Sequence, residues 1–286
     1  MSVEKMIAKT NVRMVISDLD GTLLDNNHKL SNKNIEIFKL LGDYGIKRVI
    51  ATGRNFFSFN KVIPHDMPID YLVFSSGAGI IDWKTKKILQ SVKLGFNQVN
   101  HIANHFKNNK ISFMVQEPIP NNHHFHYHIE SDPLPDFSRR LKLYEGYAHL
   151  VNWNQDFGEA SQFIVIMPND VDIFNSIKVG LNGFKIIRAT SPIDRKSIWM
   201  EIFPASVSKA NAVKDLCKLN DIGNDFTCGF GNDYNDIDLL EYTKLSYVVS
   251  NAPEKLRNQF SVIGSNEENG VAIEIGKLIE KGIIQY

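Results

Sequence analysis

Asp18-Leu19-Asp20-Gly21-Thr22-Leu23 sets two carboxylates two residues apart. Two negative charges held together are unfavourable unless a cation balances them. Hard divalent cations take oxygen ligands, and Mg²⁺ is the usual choice beside phosphate. A carboxylate is also a competent nucleophile toward phosphorus, giving an aspartyl-phosphate. A second carboxylate can protonate the leaving oxygen and later deprotonate water. Gly21 lets the backbone turn sharply. The D-x-D-G string also occurs in ordinary turns and calcium loops, although Leu24 and Asp25 do not continue an EF-hand pattern.

Three further segments carry chemistry of the same kind. Thr52-Gly53-Arg54 directly follows Val49-Ile50-Ala51. A hydroxyl at a strand end, followed by a Gly turn, can donate to a phosphate oxygen; a plain strand-to-helix turn reads equally well. Lys209 stands at the start of a predicted helix. A cation beside two carboxylates and a phosphate offsets charge in a transition state, and the helix amino end adds partial positive charge. Alone, Lys209 reads as a solvated surface charge. Gly231-Asn232-Asp233-Tyr234-Asn235-Asp236 places four amide or carboxylate side chains at a strand-to-helix turn. That suits a metal, and it equally suits a capped turn.

These segments are expected at the carboxyl ends of strands, where ligands bind in open α/β sheets. Arg13–Ser17 is a β-rich run. Ser31 caps a predicted helix with Ile35, Phe38 and Leu41 on one face, and Gly45 stops it. Ile46–Ala51 and Tyr71–Phe74 read as the next strands. Strands alternating with helices predict βαβ units and a parallel sheet. Near Ile81 the texture changes. Residues 80–90 read as a hairpin and Phe96–Asn108 as a helix. Strands follow at Ile111–Gln116, His124–Ile129 and Gln162–Met167, then a helix at Asp170–Leu181 and a strand at Phe184–Ala189. A Pro- and charge-rich stretch, Asp132–Arg140, interrupts this block. From Ile198 the first texture returns: strand Trp199–Phe203, helix Ser208–Leu219 capped by Ser208, strand Phe226–Phe230, helix Asp236–Tyr242, strand Leu245–Val249 and a final helix Asn269–Lys281. The expected organisation is an α/β core over 1–80 and 196–286, interrupted by an α+β module over 81–195.

The 286 residues suit about two domains at ~150 residues each. Lys+Arg 32 balances Asp+Glu 32, which argues against a general nucleic-acid or polyanion binder. Cys217 and Cys228 form no C-x-x-C or zinc spacing, against a disulfide scaffold and in keeping with a reducing cytosol. The opening MSVEKMIAKT lacks the apolar stretch of a signal peptide, and no run approaches the ~18 apolar residues of a membrane span. A cytoplasmic protein with neither nucleic acid nor membrane as partner is expected. Within the middle module, His124, His126 and His128 would share one strand face. Such alternation suits a transition metal or a partly exposed strand lining a cleft. Trp83, Trp153 and Trp199 read as packing.

In this order the four segments resemble the haloacid dehalogenase-like (HAD) hydrolase superfamily, in particular its Cof-type phosphatases. That pattern runs D-x-D-G-T-[LV], T-G-R, a distant S-K, then G-D-x-x-N-D. Here the third is Ser208-Lys209, and Ile237-Asp238-Leu239-Leu240 trails the fourth like the family's I-x-M-L. The middle module falls between T-G-R and S-K, where Cof-type proteins carry an α+β cap, so the resemblance spans the chain. It implies a Rossmann-like parallel-sheet core with an inserted α+β cap that closes over the site and chooses the substrate. It implies Asp18 as nucleophile and Mg²⁺ ligand, and Asp20 as general acid/base with its carbonyl on the metal. Thr52 and Lys209 would hold the phosphoryl group, and Asp236 would support the metal site. In-line transfer to Asp18 and hydrolysis would follow.

Two departures stand out. Asn232 occupies the family's metal-binding Asp position, with Asp233 one place later, and Ser76-Gly77-Ala78 replaces N-G-A. The expected metal residues are therefore Asp18, Asp20, Asn232 and Asp236, with Asp233 as the alternative to Asn232. The expected phosphate-binding residues are Gly21, Thr52, Gly53, Lys209 and Asn235. The implied activity is Mg²⁺-dependent hydrolysis of a small phosphorylated metabolite, foremost a sugar phosphate. A phosphomutase of the same chemistry and a catalytically weakened phosphometabolite-binding protein are the alternatives. A receiver domain, single and compact, does not fit a ~115-residue interruption.

Overall fold

The computed structural model describes residues 11–154 and 157–285, so the expectation for the opening ten residues lies outside the described residues. Strand β1, Met14–Ser17, is buried at every position, the pattern of a strand covered on both faces. The helix Asn32–Asp43 follows, capped as expected: Ser31 Oγ accepts from the Asn34 N–H at 3.1 Å. Phe38 and Leu41 are its buried apolar face. β2, Lys47–Ala51, runs parallel to β1, and β3, Tyr71–Phe74, parallel to β2. The expected hairpin forms as β4, Gly79–Asp82, and β5, Ile88–Ser91. It extends the core sheet, however, rather than opening the inserted module. Only residues 75–78 separate β3 from β4, too short for a crossover, so the chain must return antiparallel beside β3.

Two compact units divide the chain. One runs up to Gln90 and resumes at Ser208; the other is Ser91–Val207. The second unit holds β6 (Phe113–Gln116), β7 (Phe125–His128), β8 (Ala148–Leu150), β9 (Gln162–Met167), β10 (Phe184–Thr190) and β11 (Ile198–Pro204), in the sheet order β10-β11-β9-β6-β7-β8. β6 and β1 thus belong to different sheets. β11, read from sequence as the return to the core, instead pairs antiparallel with both β10 and β9. The short 191–197 connection again forces a hairpin. The stretch 132–140, read as an interruption, contributes to a helix, Pro135–Leu143. Pro135 sits in the first turn, where its missing N–H costs no helical bond, and Asp136 accepts from Trp199 Nε1 at 2.6 Å. Helices Phe96–Asn108 and Val171–Lys178 bury Val99, Ile102, Phe106 and Phe174 against Phe113 and Phe163 of the sheet.

Of the histidines expected on one strand face, His126 and His128 lie two apart in β7 and share it, but they meet separate partners. His126 faces His149 with ring centroids 5.9 Å apart, His128 Nε2 lies 3.0 Å from Glu130, and His124 precedes β7 beside Tyr147. Among the described residues no group of three or more His, Cys, Asp or Glu is placed to hold a metal ion.

Past the second unit, the helix Lys209–Leu219 is capped by Ser208 Oγ, which accepts from the Asn211 N–H at 3.0 Å. β12 (Thr227–Gly231), β13 (Leu245–Val249) and β14 (Ser261–Ile263) complete the first sheet, ordered β14-β13-β12-β1-β2-β3-β4-β5. β1 therefore lies between two parallel neighbours, β2 and β12, reached by connections leading to opposite sides. That makes its carboxyl end the switch point of the sheet, where α/β folds leave a crevice. Met14, Ile16, Val49, Ala51 and Val73 pack there with Val213 and Leu216 of the Lys209–Leu219 helix, fixing that helix on the sheet. Among the described residues no helix is long and apolar enough to cross a membrane.

Candidate active site

Asp18 continues β1 by one ladder bond, its N–H donating to the Phe230 carbonyl at 2.9 Å. Its carboxylate is buried. Lys209 opens its helix with a wholly buried side chain, and Nζ donates to Asp18 Oδ1 and to Asp236 Oδ1, each at 2.6 Å. The surface-charge reading of Lys209 is therefore excluded. Thr22 Oγ1 donates to Asp18 Oδ2 at 3.1 Å. Asp236 Oδ2 accepts the backbone N–H groups of Asn232 at 2.9 Å and Asp233 at 3.0 Å. Both oxygens of Asp236 are thus engaged in holding the 231–236 turn and the Lys209 ammonium.

Two carboxylates share one ammonium in this buried cluster. Burial alone would lower the Lys209 pKa, but Asp18 and Asp236 outweigh it and keep the ammonium charged. Burial and Asp236 push Asp18 up to about 7, against the pull of Lys209. Hard oxygen donors that outnumber the one cation beside them fit a Mg²⁺ ion.

Asp20 is held apart from this cluster. Its carboxylate takes a bidentate pair from Arg54, Nε to Oδ2 at 2.7 Å and Nη2 to Oδ1 at 2.6 Å, with His28 Nδ1 3.4 Å from Oδ1. Burial would raise its pKa, but hydrogen bonds from His28 and Arg54, with their charge, bring it down to about 2. Neither partner is assigned a role by sequence reasoning. Arg54 carried a signal, being the third residue of T-G-R with the planar fork that suits carboxylates. His28 carried none.

Thr52 is buried just past β2; its N–H donates to Val73 O at 2.9 Å, and its Oγ1 accepts from the Arg54 N–H at 3.1 Å. Gly53 makes the turn between them. Gly21 has φ +73°, and a Cβ there would lie 2.5 Å from Asn232 Nδ2. The Asn232 amide therefore lies close to Gly21, whose positive φ favours glycine. Asp233 acts elsewhere, as a cap. Its Oδ1 accepts from the Tyr234 N–H at 2.8 Å and so starts the short 3₁₀ turn Tyr234–Asp236. Asn235 is half-buried within that turn. Ser76 is fully buried with φ 55°.

A family model described as haloacid dehalogenase-like hydrolase matches residues 15–275. The chain belongs to the haloacid dehalogenase-like hydrolases. This hydrolase is an enzyme of the phosphatase kind and of the Cof type. The 5-amino-6-(5-phospho-D-ribitylamino)uracil phosphatase YwtE of Bacillus subtilis is 25% identical to it, over 94% of this chain and 98% of its own length. The HMP-PP phosphatase of Yersinia pseudotuberculosis is 22% identical, over 91% of this chain and 93% of its own. The solved HAD subclass IIB sugar phosphatase BT4131 has a TM-score of 0.73 at 17% identity, covering 96% of this chain and 100% of its own; that likeness concerns the fold. The hydrolase fold accordingly has the expected Rossmann-like core.

Proposed function

We propose that this hydrolase removes the phosphoryl group of a small phosphorylated metabolite, foremost a sugar phosphate, in two steps through an aspartyl-phosphate on Asp18. The observation that carries the reading is the buried Lys209 ammonium, 2.6 Å from Asp18 at the end of β1 and 2.6 Å from Asp236 beyond β12. Segments nearly two hundred residues apart in the chain meet there (|i−j| = 191 for Lys209 and Asp18). The relatives' names, a phosphorylated ribitylaminouracil and a sugar phosphate among them, support the substrate class.

In the first step an Asp18 carboxylate oxygen forms a bond to phosphorus as the ester P–O bond breaks, and the leaving oxygen takes a proton from Asp20. Asp20 must first exchange its Arg54 pair for that proton. In the second step Asp20 accepts a proton from water, whose oxygen attacks phosphorus; the Asp18 carboxylate and inorganic phosphate are regenerated. Thr52 and Lys209, with Gly21, Gly53 and Asn235 lining the turns, hold the phosphoryl oxygens. Lys209 also steadies Asp18. Mg²⁺, when bound, supplies charge neutralisation at the phosphoryl oxygens. Asp18, the Asp20 carbonyl and the Asn232 amide would hold it, while Asp236 supports the turn from behind. The inserted unit, Ser91–Val207, contributes none of these groups, and we assign it substrate choice as a cap.

A panel of sugar phosphates and p-nitrophenyl phosphate, assayed for phosphate release with Mg²⁺ and after chelation, tests this. Metal-dependent release is expected, and Asp18→Asn should abolish it. Wild-type protein that releases no phosphate from any ester would overturn the proposal.

A further inference from the structure

Ser75 and Ser76 adopt φ of 47° and 55°, and Gly77 follows at 103°. Two successive non-glycine residues in the left-handed region are costly, and such a turn persists only where its surroundings over-determine it. Here the surroundings are groups assigned to the reaction. The Ser76 N–H donates to the Thr52 carbonyl at 3.0 Å, and the Ser75 N–H donates to the Arg54 carbonyl at 2.8 Å. Gly77 lies so close to the next helix that a Cβ there would overlap the Ser208 carbonyl oxygen and sit 3.1 Å from the Lys209 nitrogen. One buried turn therefore touches the backbone of Thr52, of Arg54, which grips Asp20, and of Lys209, which grips Asp18.

We infer that Ser75-Ser76-Gly77 is a positioning turn that sets the register of the T-G-R loop against the Lys209 helix. Its backbone shape is what the reaction requires. The inference rests on the roles proposed above for Thr52, Arg54 and Lys209. A right-handed or extended turn would aim the Ser76 N–H away from Thr52, and a side chain at 77 would push Lys209 off its two carboxylates. Displacements on this scale weaken a preorganised site without removing any group that touches the substrate.

Four variants test it with two readouts: kcat and KM on p-nitrophenyl phosphate, and the ¹⁵N signal of the Lys209 ammonium in lysine-labelled protein. Gly77→Ala is compared with Gly45→Ala, which places a Cβ at a similarly left-handed φ of +70° with nothing within 4 Å. Both variants carry backbone strain. Only Gly77→Ala is expected to lower kcat, by about 10- to 100-fold with little change in KM, and to move the Lys209 signal. Ser76→Val, β-branched and resistant to φ of 55°, should lose kcat similarly. Ser76→Asn, which tolerates that region, should recover most of the loss. The Ser76 pair decides the matter if Gly77→Ala does not fold. Equal kcat and an unmoved Lys209 signal in Gly77→Ala and Gly45→Ala would overturn the inference, as would equal kcat in Ser76→Val and Ser76→Asn. Wild-type protein inactive on every ester would instead overturn the phosphatase reading, and the Lys209 signal would still report on the turn.

Discussion

Arg54 closes on Asp20 with two charge-assisted bonds, of 2.7 and 2.6 Å. The depressed pKa of about 2 lies below the ~3.9 of an unfolded-chain aspartate. The pairing therefore stabilises the fold fully above that unfolded value and is lost as pH falls toward the folded one. Arg54→Gln should raise the Asp20 midpoint toward the ordinary range, followed by carboxyl ¹³C shifts, and should flatten the acid limb of the stability curve. An unchanged Asp20 titration would contradict this. In the proposed metal site, a neutral Asn232 amide would supply one negative charge fewer than a carboxylate. Asn232→Asp should half-saturate at lower Mg²⁺. Asp233→Ala, which removes the cap on Tyr234, should leave the metal requirement nearly unchanged. Loss of metal-dependent activity in folded Asp233→Ala would reverse the assignment. Asp18, Thr52, Lys209 and the 231–236 turn stood out in the sequence because each sits at a recognisable strand end or helix start and because their order resembles the haloacid dehalogenase-like pattern; taken singly, Thr52 and Lys209 read as a plain turn and a surface charge. The His28 contact was not legible, since a half-buried loop residue gives no periodic signal.

Elements position these groups with little slack. The Lys209 helix begins on Ser208, whose Oγ accepts the Asn211 N–H at 3.0 Å. Ser208→Ala should cost about 1 kcal/mol, read as a shift in urea midpoint with the slope unchanged; a midpoint within error of wild type would show the cap to be idle. Strand and helix types followed from pattern: the apolar runs of β1, β2 and β3, and the Phe96–Asn108 face. Sheet membership did not. β4, β5 and β11 read correctly as strands and were expected in the wrong unit. Pairing depends on which neighbour a short connection reaches, information that lies outside the strand itself. β8 and β14, at three residues each, are too short to show alternation.

At the scale of the whole molecule, the chain joins a sheet with a switch point at β1 to a second sheet that supplies none of the proposed chemical groups. Substrate choice is the role proposed for that second unit. Substitutions within Ser91–Val207 are expected to change the ratio of kcat/KM between two sugar phosphates, while Lys209→Ala lowers both alike. Unaltered ratios across a scan of that unit's polar side chains would contradict the division of labour. The central claim is covalent chemistry at Asp18, and its most direct test is acid quenching during turnover of a phosphate ester, followed by peptide mass spectrometry. A phosphoryl group on Asp18, absent from Asp18→Asn, is the expected result. Sustained turnover with no phosphoenzyme trapped, or with the phosphoryl group on another residue, would contradict it.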